Sequence, residues 1–351
     1  MKVTQSDIAN ALSVSRLTVS KALNNVEGVS RETRELVLST ARELGYRRLA
    51  KSQIDAIEKD VQVDKAMWVK SLKQVSLFSE QKLATDSYWA PVIRGMVEVL
   101  AANGYNLNLC FLSEMNDGEF ELPKNFNPNE TRGIIQFGDF QKRNIEQFKS
   151  CKLPMVSVDA IIQGEEADLY SDTLMTFNAD PMMAMVEHLV SQGYQRIGYA
   201  SDGGRQLTMH ERWLGYCRGM EKAGLPINQR YCFFGAFDST IENIEKENRL
   251  AYLKDFPDAI ICCNDILAIA FMKYFQANGI KVPDMVALSG YDNVSESEVA
   301  DITTINVSKE ELGITAAEVL LWRIENPDRP YRMIRINDNK LIVRGSTNKL
   351  T

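Results

Sequence analysis

Along residues 1–45 the apolar positions recur every three or four residues in three short bursts. Ile8, Ala9 and Leu12 form the first, Val19, Ala22 and Leu23 the second, and Leu36, Val37, Thr40, Ala41 and Leu44 the third. That spacing puts each set on one face of a short helix. Start and stop signals sit where three helices need them. Thr4 stands three residues before Asp7 as in a capping arrangement, Ser13-Val14-Ser15 reads as a turn and a new N-cap, Ser30 caps a third helix, and Gly45 ends it. From residue 74 the pattern changes. Strand-like runs (VSLFS, NLNLCFL, GIIQF, MVSVD, LMTF, RIGYAS, AIICC, MVALSGY) alternate with helical segments such as WAPVIRGMVEVLAANG, DPMMAMVEHLVSQG, RWLGYCRGMEKAG, DILAIAFMKYFQANG and EELGITAAEVLLWRIEN. Such alternation predicts α/β structure: parallel sheets with helices on both faces, and ligands at the carboxyl ends of the strands. The span is long enough for two such lobes with a cleft between them.

The expected organisation is therefore an all-α head at 1–46, a linker at 47–73, and a two-lobed α/β body at 74–351. Within the linker Ile54, Ile57 and Val61 have helical spacing but are surrounded by charge. A helix and a solvated tether both fit that pattern.

Charge sharpens the division. The whole chain of 351 residues carries a net −7, yet residues 1–51 hold nine Lys/Arg against five Asp/Glu, a net +4, which leaves −11 for the remainder. A basic head on an acidic body implies two modules with different partners. Two short helices joined by a tight turn and braced by a third form a helix-turn-helix, whose second helix enters the DNA major groove. In SVSRLTVSKAL, Val19, Ala22 and Leu23 face inward and leave Arg16, Leu17, Ser20 and Lys21 outside. Thr18 and Ser20 suit hydrogen bonds to phosphates or bases, Arg16 and Lys21 supply charge, and Leu17 suits a thymine methyl. A small helical bundle with a solvated polar face would show the same periodicity.

The stretch VTQSDIANALSVSRLTVSKALNNVEGVSRETRELVLSTARELGY resembles the head of the LacI/GalR family of bacterial transcription regulators. The family pattern runs Asp-(Ile/Val)-Ala, then Val-Ser-x-x-Thr-Val-Ser-(Arg/Lys)-x-(Leu/Val)-Asn, then Val-Ser-x-x-Thr-Arg, then Gly-Tyr. The resemblance implies DNA contacts from Thr4, Ser15, Arg16, Leu17, Thr18, Ser20, Lys21 and Asn24, with Arg16, Leu17 and Lys21 reading bases. Family members usually follow Gly-Tyr with Pro-Asn and a hinge helix that opens the minor groove; the text here, RRLAKSQIDAIEKD, lacks Pro-Asn. The body resembles the family's sugar-binding core more loosely, through Ser87-Tyr88-Trp89-Ala90, Arg132-Gly133-Ile134-Ile135, Arg212-Trp213-Leu214-Gly215-Tyr216, Asn264-Asp265, Gly290-Tyr291-Asp292-Asn293 and Arg344-Gly345-Ser346-Thr347.

What the resemblance implies is an effector cleft lined by Tyr88 or Trp89, Asp159, Arg212, Asn264 or Asp265, and Asp292, with Phe237 adding a lid contact from a loop. A sugar offers an apolar C–H face to an aromatic ring and hydroxyls to Arg, Asp and Asn, so these residue types are coherent with it. The implied protein is a cytoplasmic, dimeric repressor of carbohydrate-utilisation genes on a pseudo-palindromic operator. The chain stops at Thr351 without the tetramerising helix of some members. A nucleobase, a phosphosugar or a partner protein remains as an alternative effector, and a sugar-processing α/β enzyme with a regulatory head as an alternative class.

Catalysis finds few residues to carry it. The two histidines are His188, within MVEHLVSQG, and His210, near Arg212. No G-x-S-x-G elbow, Walker loop, G-x-G-x-x-G fingerprint or H-E-x-x-H pair occurs. The six cysteines lack C-x-x-C spacing, which argues against a zinc site or a disulfide scaffold and fits a reducing compartment. No catalytic residue, metal or cofactor is expected. No secretory signal or membrane-spanning run is read either, and so no membrane partner.

Overall fold

The computed structural model describes residues 3–24, 26, 28–44, 46, 73–80, 87–112, 122–137, 142–159, 170–201, 207–235, 237–246 and 256–349. The chain divides into two compact units, Met1–Leu72 and Lys73–Thr351. The linker expected at 47–73 lies, apart from Lys73, outside the described residues.

The first unit contains α1 (Gln5–Leu12), α2 (Arg16–Leu23) and α3 (Arg31–Glu43). The Asp7 carboxylate accepts hydrogen bonds from both the backbone N–H and the hydroxyl of Thr4, each at 2.7 Å, which fixes the start of α1. Ser13 turns the chain in the left-handed region at φ 57°, and Ser15 caps α2 by accepting from the Thr18 N–H at 3.0 Å. Ile8, Ala9, Val19, Ala22, Leu23, Val37 and Ala41 make the small core. Two residues of the expected stripe on α3 do not join it, since Leu36 and Leu44 are exposed. The inward face of α3 is instead centred on Val37, Leu38 and Ala41, the positions that meet the other two helices.

The second unit is built from two parallel sheets. In the first lobe, β1 (Lys73–Glu80), α4 (Trp89–Ala102), β2 (Tyr105–Leu112), β3 (Thr131–Phe137), α5 (Lys142–Ser150), β4 (Met155–Val158) and β5 (Asp172–Thr176) follow in order. The second lobe holds α6 (Ala179–Ser191), β6 (Ile197–Ser201), α7 (Leu207–Lys222), β7 (Cys232–Phe234), α8 (Phe237–Lys246), β8 (Ala259–Cys262), α9 (Asp265–Ala277), β9 (Ala287–Ser289) and α10 (Ser295–Val299). The chain then adds β10 (Thr304–Asn306), α11 (Lys309–Glu325), β11 (Met333–Ile336) and β12 (Lys340–Ile342). The sheet orders are β11-β5-β4-β3-β1-β2 and β7-β6-β8-β9, with β10 and β12 paired as an antiparallel ribbon.

The period of two on central strands explains the layering. On β3, Ile135 points into one apolar cluster with Val92, Met96 and Leu320, while the adjacent Ile134 points into another with Phe78 and Phe148. Because α11 returns to the first lobe and β11 completes its sheet, the chain passes between lobes three times, at 177–178, 307–308 and 337–339. Sequence reading missed β10, β11 and β12. They are three or four residues long, and the burial of β11 and β12 is partial, so no alternating apolar signal marks them.

The helices α4 and α11 cross so closely that glycine is needed on both. A Cβ at Gly313 would run into the Val92 carbonyl oxygen, and one at Gly95 into the Glu310 carbonyl oxygen. Replacing a helical Gly with Ala ordinarily stabilises by about 1 kcal/mol, but a backbone oxygen cannot step aside as a side chain can. Gly313→Ala is therefore expected to lower the unfolding free energy by about 1–3 kcal/mol, measured by denaturant titration; a gain in stability would show that the crossing is looser.

Candidate functional site

The carboxyl ends of both sheets converge on a cavity of about 190 Å³ inside the second unit. One water needs only about 10–15 Å³ of such space, so a small organic ligand fits. Its polar lining is Tyr88, Asp159, Thr176, Thr208, Arg212, Asn264 and Asp292. Trp89, Val158, Leu174, Met175, Met209, Ile266, Val294 and Leu312 supply the apolar part.

Arg212 organises one end. It lies on α7 and is 4% exposed. Its Nη2 donates to Asp292 Oδ1 at 2.9 Å, its Nη1 to the Cys263 carbonyl at 2.6 Å and its Nε to Asn178 Oδ1 at 3.2 Å. The guanidinium carbon also lies 3.7 Å from the centre of the Tyr291 ring. Burial opposes the charge of Arg212, but Asp292 together with Tyr291, Tyr88 and Cys263 outweighs that and carries its pKa upward. Asp292 sits in the left-handed region at φ 108° and Asn293 at φ 52°, a strained turn pinned by the Asp292 N–H donating to the Ile305 carbonyl at 2.8 Å. Burial pushes the Asp292 carboxyl up to about 7, against the pull of Arg212 and Lys309 and with help from Asp265.

Lys309, the first residue of α11, donates to the carbonyls of Asp292 at 2.6 Å and Asn293 at 3.1 Å. At the other end of the cavity Asp159, at φ 68°, accepts from the Thr208 hydroxyl at 2.6 Å, a bond that runs from the first lobe to the second. Trp89 lies flat on Phe137 with ring centres 4.1 Å apart, and Tyr88 meets Trp89 edge-on at 4.9 Å. Burial raises the Tyr88 phenol well above its ordinary range, so it is a neutral hydroxyl at the cavity wall.

Of the residues expected from sequence, Tyr88, Trp89, Asp159, Arg212, Asn264 and Asp292 all line this cavity. The Asn264 side chain has a second task, since its Oδ1 caps α9 by accepting from the Leu267 N–H at 2.8 Å. Asp265 is not among the lining residues. It is fully buried, accepting from the Thr304 hydroxyl at 2.6 Å and the Val294 N–H at 2.9 Å, and Gly290 packs so closely that a Cβ there would strike its carboxylate. Asp265 thus fixes the loop that carries Asp292. Phe237, expected on a loop, opens α8 and packs edge-on against Phe271 at 5.3 Å, away from the cavity lining. Sequence reading missed Thr208, which lies four residues before Arg212 on the same helical face, and Lys309.

In the first unit, Arg16 is exposed and Leu17 is 66% exposed on α2. Thr18, Ser20 and Lys21 are half-buried. The Thr18 hydroxyl is bonded to that of Ser15 at 2.8 Å, and the Asn24 amide donates to the Ser20 carbonyl at 2.8 Å. Thr4, Ser15 and Asn24 therefore carry helix-end bonds.

His188 is bonded to the Thr347 hydroxyl at 2.8 Å and tethers the carboxyl-terminal segment. Among the described residues no group of three or more His, Cys, Asp and Glu could hold a metal ion, and no helix is long and apolar enough to cross a membrane.

Residues 4–48 match the lacI family of bacterial regulatory proteins, and residues 186–347 match a periplasmic binding protein-like domain. The first unit thus carries a lacI-family helix-turn-helix and the second a periplasmic binding protein-like domain. Family members are DNA-binding transcriptional regulators and not enzymes, so the enzyme alternative falls away. The HTH-type transcriptional repressor PurR of Mannheimia succiniciproducens is 29% identical over 348 residues, covering 98% of each chain. Among solved structures, the transcriptional regulator CelR in complex with cellobiose is similar with a TM-score of 0.65 at 20% identity, covering 98% of this chain and 100% of that one. The lac repressor dimer bound to operator and the anti-inducer ONPF is similar with a TM-score of 0.63 at 17% identity, covering 99% and 100%. The lacI-family architecture, a helix-turn-helix and a two-lobed α/β domain, is the one described above.

Because the folded chain raises the Asp292 pKa above that of an exposed carboxyl, the native state holds an extra proton between about pH 4 and pH 7. The stabilisation from this group is complete below that window and is lost as pH rises through 7. Asp265 shifts in the same direction, so a difference measurement is needed. Wild type is expected to lose stability relative to Asp292→Asn as pH rises from 5 to 8 in thermal unfolding; a pH-independent difference would mean that Asp292 stays ionised throughout.

Proposed function

We propose that this lacI-family chain is a transcriptional repressor that binds a pseudo-palindromic operator as a homodimer and is controlled by a small, neutral, polyhydroxylated ring held between its lobes. The observation that carries this reading is the pairing of Arg212 with Asp292 in the cavity that Asp159 and Thr208 also line. Two carboxylates accept hydroxyl donors from a sugar, Asn264 and Arg212 supply complementary polar groups, and Trp89 presents an aromatic surface for its C–H face. CelR, solved with cellobiose, supports a sugar, and the lac repressor dimer on operator supports the homodimer.

A phosphosugar is disfavoured by charge. Among the described lining residues Arg212 is the cation, and it is set against two carboxylates, Asp292 and Asp159. A nucleobase is the second reading, favoured by the planar Trp89–Phe137 stack and accommodated by the same carboxylates. Action on DNA and free cysteines support a cytoplasmic location. On DNA, Arg16, Leu17 and Lys21 of α2 read base edges in the major groove, while Thr4, Ser15, Thr18, Ser20 and Asn24 contact the backbone or support that helix.

A thermal-unfolding screen of the full chain against monosaccharides, disaccharides and nucleobases separates the effector classes. A ligand at 100 times its dissociation constant should add about 2.7 kcal/mol. A response confined to nucleobases would replace the sugar reading with the second one. With the effector found, Asp292→Ala is expected to abolish the effector's influence on operator affinity and leave that affinity intact; a normal response would remove Asp292 from the site. On the DNA side, Arg16→Ala should cost about 1–3 kcal/mol at one operator position and relax base preference there, read by binding to a set of operator variants. Uniform weakening across all variants would instead assign Arg16 to phosphate contact.

A further inference from the structure

The three passages between lobes are joined by side chains as well as by backbone. Arg335, on edge strand β11 of the first lobe, reaches Glu211 on α7 of the second with Nη2–Oε1 at 2.6 Å and Nη1–Oε2 at 3.0 Å. This fork-to-fork pair is largely buried, with 30% of the arginine side chain and 14% of the glutamate side chain exposed. The same Glu211 Oε2 accepts from the Asn178 amide at 3.2 Å, and Asn178 Oδ1 in turn accepts from Arg212 Nε. Asn178 lies in the first passage and is 1% exposed. The guanidinium of Arg335 also lies 5.8 Å from the ring centre of Phe177 in that passage. In the third passage the Asn339 amide donates to the Phe177 carbonyl and, at 3.0 Å, to the Tyr291 hydroxyl.

We infer that the Glu211–Arg335 pair is the clamp that holds the two lobes at their resting angle, and that Asn178 and Glu211 are positioning residues coupling this clamp to Arg212. Geometry gives the reason. Glu211 and Arg212 are consecutive on α7, so one carries the bond to the first lobe while the other faces the cavity. A rotation of the lobes that shifts α7 against β11 must stretch a bidentate ion pair, whose strength falls steeply with misalignment. A movement of Arg212 is opposed through Asn178, which holds both side chains with one amide. The inference goes beyond the effector reading and does not rest on it, because neither Glu211 nor Arg335 lines the cavity.

Amide hydrogen exchange followed by mass spectrometry on the full chain tests it without effector or operator. Arg335→Met and Glu211→Gln are expected to speed exchange about tenfold around 176–179, 207–213 and 336–340, while the central strands β3 and β8 keep wild-type rates. The double variant is expected to exchange no faster than either single one, because both remove the same interaction. Unchanged rates at the passages in both single variants would overturn the clamp. Acceleration spread equally into β3 and β8 would overturn it too, since the pair would then support folding at large. An additive double variant would show that the two residues act separately. Glu211→Gln keeps size and a hydrogen-bonding oxygen, so it remains readable if Arg335→Met folds poorly.

Discussion

A guanidinium buried to 4% exposure has to have its N–H groups satisfied, and much of the second unit is arranged around meeting that demand for Arg212. Its three nitrogens draw together the first passage through Asn178, the end of β8 through the Cys263 carbonyl, and the strained loop after β9 through Asp292. The Tyr291 ring covers its face. Removing one partner would leave an uncompensated buried charge, which costs far more than the net worth of the pair. The residue suited to meeting an effector is thus also the one that ties the passage to the strand ends.

Around Arg212 the supporting residues are polar and shared. Asp265 anchors the Asp292 loop from below, Lys309 holds the same loop by its carbonyls, and Thr208 bridges to Asp159. Away from the cleft each lobe has its own apolar core, one around Ile135 and Leu320, the other around Ile260 and Phe271. That partition suits a molecule whose lobes move as bodies. Packed cores resist deformation, while directional polar bonds at the passages can exchange partners.

The head was legible because its information is local. Capping residues, turn and inward stripe fall within a few residues of one another, and helices α1 and α2 form where Thr4, Asp7 and Ser15 place them. The inward face of α3 was read one position off, with Leu36 and Leu44 assigned inward, because an apolar residue is not obliged to be buried when a neighbour such as Leu38 meets the core instead. In the body, Arg212 and Asp292 could be singled out as chemistry-bearing groups in motif-like strings. Asp265 could not be distinguished from Asn264 by type, because adjacent residues at a helix start point in different directions and only the packing against Gly290 shows which one is enclosed.

By itself, then, the sequence determined the division into a basic helical head and an acidic α/β body, which follows from periodicity and charge. Most of the polar residues lining the cavity came through short motifs that resemble the lacI family, again a property of neighbours along the chain. The tertiary structure alone decided which residues act together. Asn178 is 33 positions from Glu211, and Glu211 is 124 from Arg335, yet they form one continuous hydrogen-bonded path. Their pairing depends on where α11 and β11 return to the first lobe after the chain has built the second. Contacts of that range depend on how both lobes pack, and no pattern among neighbours in sequence encodes that.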